Sequence, residues 1–290
     1  MKKLIYFIVI ICISSCQVKE IDLKVITFNI RMDTSYDEHN SWDYRKDNTA
    51  QMLKEVDADI IGMQEVLINQ LNDLKSALPE YNSIGVGRLD GEEDGEFSPI
   101  FYKKERFNEK QSGYFWLSED PAAIGQKGWD AACERIATWA VLQEKKSGKE
   151  FFVLSTHFDH IGETARQESS KLILQKTNEF GGNLPRIIVG DFNAEPDSET
   201  VRILTDATNE NALSDSKSIA KSVKGPDWSY HAYGNLPENE RSLIDFIFVD
   251  SQITVLEYEV LPKKNEIGYF SDHSAVAAKM QIKQIKQRRI

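Results

Sequence analysis

Residues 186–196, RIIVGDFNAEP, put a carboxylate and an amide, Asp191 and Asn193, at the end of a short apolar run. An ionisable group at the edge of an apolar strand is costly to bury without a partner. One such pair therefore means little unless other strands end in the same way, and they do. Asn29 stands near the end of LKVITFNIR (23–31). Glu65 closes DIIGMQE (59–65). His157 closes EFFVLSTH (150–157), with Asp159 two residues on. Asp245 lies inside LIDFIF, and Asp272-His273 directly precedes the apolar run SAVAAKMQI. If these edges meet, the groups can partner one another and a hard cation. Carboxylates, amides and two histidines without cysteine suit Mg²⁺ or Mn²⁺. A cation to neutralise developing charge, a carboxylate to orient or deprotonate water, and amide or imidazole donors are what hydrolysis of a phosphate ester requires.

Periodicity predicts the elements that hold these groups. Runs rich in β-branched and aromatic residues predict strands at 23–31, 59–65, 98–104, 137–145, 150–157, 186–191, 242–250, 253–261 and 274–282. Trp42 to Val56 reads as a polar-faced helix. Leu67, Leu71, Leu74 and Leu78 recur at helical spacing and stop at Pro79, and a further helix runs from about Glu163 to Phe180. Asp197-Ser198 can cap a short helix. Strands and helices alternate in both halves, the pattern of a sandwich with helices outside. Residues 86–96 and 211–241 read as long loops, with acidic residues 92–96 as a solvated tip. Nothing marks a domain boundary, so 17–290 is expected to be one domain.

The first sixteen residues differ. Lys2 and Lys3 precede a nearly continuous apolar run from Leu4 to Ile13, and Ser14-Ser15-Cys16 follows. That run is short for a stable span and reads as a secretory signal. ISSC resembles a bacterial lipobox, which makes Cys16 the expected lipidation site. The expected location is outer-membrane anchorage through the N-terminal lipid, facing the periplasm or displayed at the cell surface. Cys133 is then left as an unpaired thiol. The net charge of −11, more negative once Lys2 and Lys3 are removed, argues against non-specific nucleic-acid binding. A small phosphorylated substrate and a monomeric enzyme are expected, with no nucleic-acid partner.

TFNIR, GMQE, STHFDH, VGDFNAEP, LIDFIFVD and FSDHSAV, in this order, resemble the endonuclease/exonuclease/phosphatase superfamily, and SPIFYKKERF is similar to a segment of its CCR4-type branch. The resemblance spans about residues 22–283 and looks closest to an exported bacterial branch. It implies an α/β fold, a four-layer sandwich with two central, mostly antiparallel β-sheets flanked by helices. It also implies a role for each residue. Glu65 is the principal metal ligand, and Asn29 and Asp272 complete or support the metal site. His157 contacts the scissile phosphate, Asp191 positions or deprotonates the attacking water, and Asn193 binds the transition-state phosphoryl group. Asp245 orients His273, which acts as base or phosphate donor, and Asp159 stands behind them. Some members carry an Asp where this chain has Arg31, so Arg31 is expected to be a cationic phosphate contact.

Arg135 and Arg166 are further candidate substrate contacts, while Trp42, Trp116 and Trp129 read as packing residues first. The function expected is a divalent-metal-dependent phosphoesterase. The alternatives are a nuclease of the same superfamily and a non-catalytic surface binding protein on the same fold. A zinc hydrolase reading of STHFDH fails at Ser155, where the H-x-H-x-D-H motif needs histidine.

Overall fold

The computed structural model describes residues 20–283. The proposed leader and Cys16 lie outside the described residues. The strands are β1 (Ile21–Asn29), β2 (Ile60–Gln64), β3 (Tyr81–Ile84), β4 (Ile100–Lys103), β5 (Phe107–Trp116), β6 (Ile136–Glu144), β7 (Glu150–His157), β8 (Arg186–Asp191), β9 (Ser214–Asp215), β10 (Val223–Lys224), β11 (Asp245–Val249), β12 (Ile253–Val260) and β13 (Val276–Ile282). The α-helices are α1 (Trp42–Val56), α2 (Ile68–Ala77), α3 (Glu163–Gly181), α4 (Glu199–Thr205) and α5 (Ser216–Ile219).

Among the described residues the strands form two sheets. One has the order β10-β12-β13-β1-β2-β4-β3, the other β5-β6-β7-β8-β11-β9. Most neighbours are antiparallel; β1–β2, β7–β8 and β10–β12 are parallel. Three apolar clusters define the layers. Ile21, Leu23 and Val25 of β1 pack with Val153, Val189 and Ile247 between the two sheets. Ile26, Phe28 and Ile30 face the other way, toward α1 and α2 residues such as Leu53 and Leu71. On the far side, Leu154, Ile188 and Phe248 meet Ile173 of α3 and Leu204 of α4. The result is helix, sheet, sheet, helix: the expected four-layer sandwich. At Gly62 an added Cβ would stand 2.2 Å from Val189 Cγ2. The absence of a side chain there lets β2 approach β8 across the sheet interface.

Trp42 and Trp116 are fully buried, and their indole nitrogens bond Asp73 and the carbonyl of Arg88. They are packing residues. Strand β5 was not expected: seven of its ten residues, from Asn108 to Tyr114, are exposed or only partly buried on an edge strand, so no apolar alternation signals it.

Candidate active site

The site is built by continuing the inward-facing rows of the sheets past their apolar stretch. Side chains alternate faces along a strand. In β1 the row Ile21, Leu23, Val25 continues through Thr27 to Asn29. In β7, Phe151 and Val153 lead to Ser155 and His157, and in β8, Ile187 and Val189 lead to Asp191. In β11, Val249 and Ile247 lead back to Asp245. Asp191 is the register partner of both His157 and Asp245. Four polar groups thus meet at one end of the intersheet core.

Glu65 needs an extra device. Alternation after Met63, which faces the helices, would turn Glu65 away from this row. Its φ of 60° puts it in the left-handed region and turns its carboxylate back to the site. Arg31 (φ 59°) and Asn193 (φ 47°) share that conformation. Three non-glycine residues held there in one site cost free energy, which marks a site shaped for something other than stability.

Asn29 Nδ2 donates to Glu65 Oε1 (3.0 Å) and to Asp191 Oδ2 (2.9 Å), tying the two carboxylates together. The Met32 amide donates to Glu65 Oε2 (3.0 Å), and the Arg31 amide to Asn29 Oδ1 (3.0 Å). Asp191 Oδ1 accepts the Asn193 amide at 2.9 Å. Its Oδ2 lies 3.5 Å from His157 Nε2 and 3.8 Å from His273 Nε2. His273 Nδ1 donates to Asp245 Oδ2 at 2.8 Å. Asn193 Nδ2 donates to the Phe158 carbonyl and to His157 Nε2, both at 3.0 Å, which assigns the His157 proton to Nδ1.

Electrostatics separate the roles. Burial pushes the Asp191 carboxyl up, Asp245 pushes it further, and it reaches about 7, in the range of a general base. Burial opposes the charge on His273, but Asp245 and then Asp191 and Asp272 outweigh it and raise its pKa to about 10. His273 is thus an imidazolium. His157 is driven well below its usual range by burial and by Arg135 and Arg88, so it is neutral.

The donor set fits a hard divalent cation. Burial raises the Asp272 carboxyl, and the neighbouring Glu65 carboxylate raises it further, a repulsion that a cation relieves. Arg31 Nη1 stands 3.7 Å from Glu65 Oε2 and its Nε 4.0 Å from Asp272 Oδ2, so both carboxylates face one cationic position. Atoms of Asp191, Asp245 and His273 also lie within 4.8 Å of one another, but the imidazolium keeps both ring nitrogens protonated and offers no lone pair to a metal, so the cation position is that of Glu65 and Asp272. Asn29 uses both amide hydrogens to hold Glu65 and Asp191 and acts chiefly as a support.

Glu65, His157, Asp191, Asn193, Asp272 and His273 line one cavity of about 620 Å³ with Arg31, Arg135 and several residues that lie away from the strand ends: Met32, Arg88, Glu96, His160, Tyr230 and Ile244; the fully buried Asn29 and Asp245 are not part of the lining. Glu96 falls in a segment read as a solvated tip. Glu92, Glu93 and Asp94 are indeed exposed, but the Glu96 side chain is 13% exposed and its Oε2 pairs with Arg88 Nη1 at 2.6 Å. Arg31 is held by Asp37 through Nε and Nη2 at 2.9 and 3.0 Å. Arg166 is absent from the cavity lining, and its Nη1 donates to the Asp159 carbonyl at 3.0 Å. Asp159 accepts the Ile161 and Gly162 amides at 2.9 and 2.7 Å and the Cys133 amide at 3.3 Å, which fixes the turn after His157.

The chain is 42% identical to an endonuclease/exonuclease/phosphatase from Bacteroides vulgatus, with a TM-score of 0.88 over 91% of this chain and 100% of that one. It is 36% identical to a mannosyl-6-phosphatase from Bacteroides thetaiotaomicron, with a TM-score of 0.83 over 89% of this chain and 99% of that one. Among curated proteins it is 26% identical to Nocturnin of Drosophila melanogaster over 208 residues, 63% of this chain and 30% of that protein. It thus spans about a third of the length of that relative. A family model described as the endonuclease/exonuclease/phosphatase family matches residues 26–273. The chain belongs to the endonuclease/exonuclease/phosphatase family.

Proposed function

We propose that this protein is a divalent-metal-dependent phosphoesterase and that its substrate is a small phosphorylated sugar. The observation that carries the reading is the convergence of Asp191, raised to about 7, with imidazolium His273 and the Asn193 amide on the cavity that also holds the Glu65–Asp272 pair. The likeness to a mannosyl-6-phosphatase supports the sugar. The net charge of −11 disfavours a long polyanion.

Glu65 and Asp272, with Asn29 holding Glu65, would bind the cation, which supplies charge neutralisation at the phosphoryl oxygens. Asp191 Oδ2 takes the proton of the attacking water as its oxygen bonds phosphorus. Asp245 holds His273 with Nε2–H turned to the same space, a donor for the phosphoryl oxygens. Asn193 lies beside it with its amide on His157. The ester oxygen leaves with its electron pair and takes a proton from solvent.

The test is kcat/KM with Mg²⁺ or Mn²⁺ on plasmid DNA, single-stranded RNA, phospholipids, inositol phosphates and hexose phosphates over a range of salt. A hexose phosphate should be turned over best, with weak salt dependence. A nucleic acid preferred by a wide margin, with a rate falling steeply as salt rises, would identify a nuclease instead. We further propose export and lipid anchorage through Cys16. Cys16→Ala should move the protein from the membrane to the soluble fraction, and a soluble wild type would refute the anchor.

A further inference from the structure

The cavity has a second half that the chemistry above does not use. Beyond His157 it is walled by Arg88, Glu96, Cys133, Arg135 and His160. Arg135 is 5% exposed, yet its Nε and Nη1 have no hydrogen-bond partner among the described residues, and neither does Arg88 Nε. Donors buried in this way lose free energy unless a ligand answers them. The nearest charges are already balanced. Arg135 Nη1 lies 4.0 Å from Glu96 Oε2, its Nε 3.6 Å from Asp159 Oδ2, and Arg88 pairs with Glu96. Two guanidiniums stand against two carboxylates, whereas the Glu65, Asp191, Asp245 and Asp272 half has carboxylates in excess. A second phosphate would meet Glu96 and Asp159 as well as the arginines, and burying its charge would go uncompensated. An uncharged group that both donates and accepts fits better. A hydroxyl accepts from an unpartnered guanidinium N–H and donates to Glu96. Adjacent ring hydroxyls match the planar fork of arginine.

The half-site is also placed for a leaving group. Glu96 Oε2 is 3.9 Å from His157 Nδ1, and His157 Nε2 is 3.5 Å from Asp191 Oδ2, so a single imidazole separates it from the base. The exposed His160, whose Nδ1 meets Arg135 Nη2 at 3.1 Å, forms its outer edge.

We propose that Arg88, Glu96, Arg135 and His160 form a subsite that receives the uncharged polyhydroxyl leaving group and selects sugar monophosphates among phosphoesters. This rests on the phosphoesterase reading. The experiment compares kcat/KM on mannose 6-phosphate, fructose 1,6-bisphosphate and p-nitrophenyl phosphate for wild type, Arg88→Met, Arg88→Lys and His160→Ala. Wild type should prefer the hexose monophosphate to both others. Arg88→Met and His160→Ala should lose at least tenfold more on mannose 6-phosphate than on the aryl ester, chiefly in KM, and Arg88→Lys should not restore the preference because it lacks the fork. Equal losses on both esters, or a wild-type preference for the bisphosphate, would overturn the subsite. If Arg88→Met does not fold, His160→Ala carries the comparison, since its ring is exposed. No turnover of any ester by wild type would defeat the phosphoesterase reading alone. The subsite is then judged by saturation-transfer NMR with unphosphorylated mannose, where binding lost in His160→Ala supports it and no binding to wild type refutes it.

Discussion

Asp245 and Asp191 are cross-strand partners, and the ring of His273 joins them, 2.8 Å from Asp245 through Nδ1 and 3.8 Å from Asp191 through Nε2. One carboxylate therefore holds the imidazolium, while the other, pushed up to about 7, keeps a basic oxygen toward the cavity. Removing either function should be costly. Asp191→Asn and His273→Ala should each lower kcat by at least about 10²-fold, the usual scale of a positioned acid or base. Steady-state kinetics on folded variants decide this; a change confined to KM would contradict these roles.

Mg²⁺ or Mn²⁺ should stabilise the fold as well as activate it. At about 100 times Kd a ligand bound only to the native state adds about 2.7 kcal/mol. That corresponds to a rise in Tm of several degrees for a domain of this size. Glu65→Gln should abolish the rise. In chelator, Asp272→Asn should melt at or above the wild-type temperature, because burial, together with Glu65 beside it, disfavours the charged Asp272 carboxylate by more than His273 and Arg31 favour it. A metal-induced shift that survives in Glu65→Gln would remove Glu65 from the metal site.

His231 should make the metal-free protein acid-sensitive. Neither of its ring nitrogens has a partner among the described residues. Burial, with His273, Lys263 and Arg241 nearby, lowers its pKa to about 3. An unfolded histidine titrates near 6.5. Between these values the unfolded chain binds a proton that the folded chain refuses, so stability falls as pH drops from about 6.5 toward 3. His231→Phe should flatten that fall, by at most about 1.4 kcal/mol per pH unit. Urea titrations of the chelated proteins from pH 7 downward measure it; parallel curves would assign the acid sensitivity elsewhere.

Gly62→Ala should destabilise by about 1–3 kcal/mol through overpacking, since its Cβ would stand 2.2 Å from Val189 Cγ2. Val189→Ala should be less harmful in that background than alone. A double-mutant cycle in denaturant reads the coupling, and simple additivity would show that the sheets do not meet there.

The sequence by itself determined the strands that carry the site and the polar residues that end them. Both are local properties: a period of two places Asn29, His157, Asp191 and Asp245 in register with the apolar residues before them, and the change from apolar to polar is visible in one dimension. The family and its four layers followed from six such segments in order. Only the tertiary structure decided the rest. Alternation alone turns Glu65 away; a left-handed backbone, supported by Asn29 and the Met32 amide, brings it in. Glu96 reads as one more acid in a solvated run, yet Arg88 and a cavity wall from distant segments bury it. Arg135 and Arg166 look alike in sequence, but one lines the cavity while the other bonds the Asp159 carbonyl. Burial and charge pairing depend on which segments meet, and strand periodicity carries no information about loops that close across the end of two sheets.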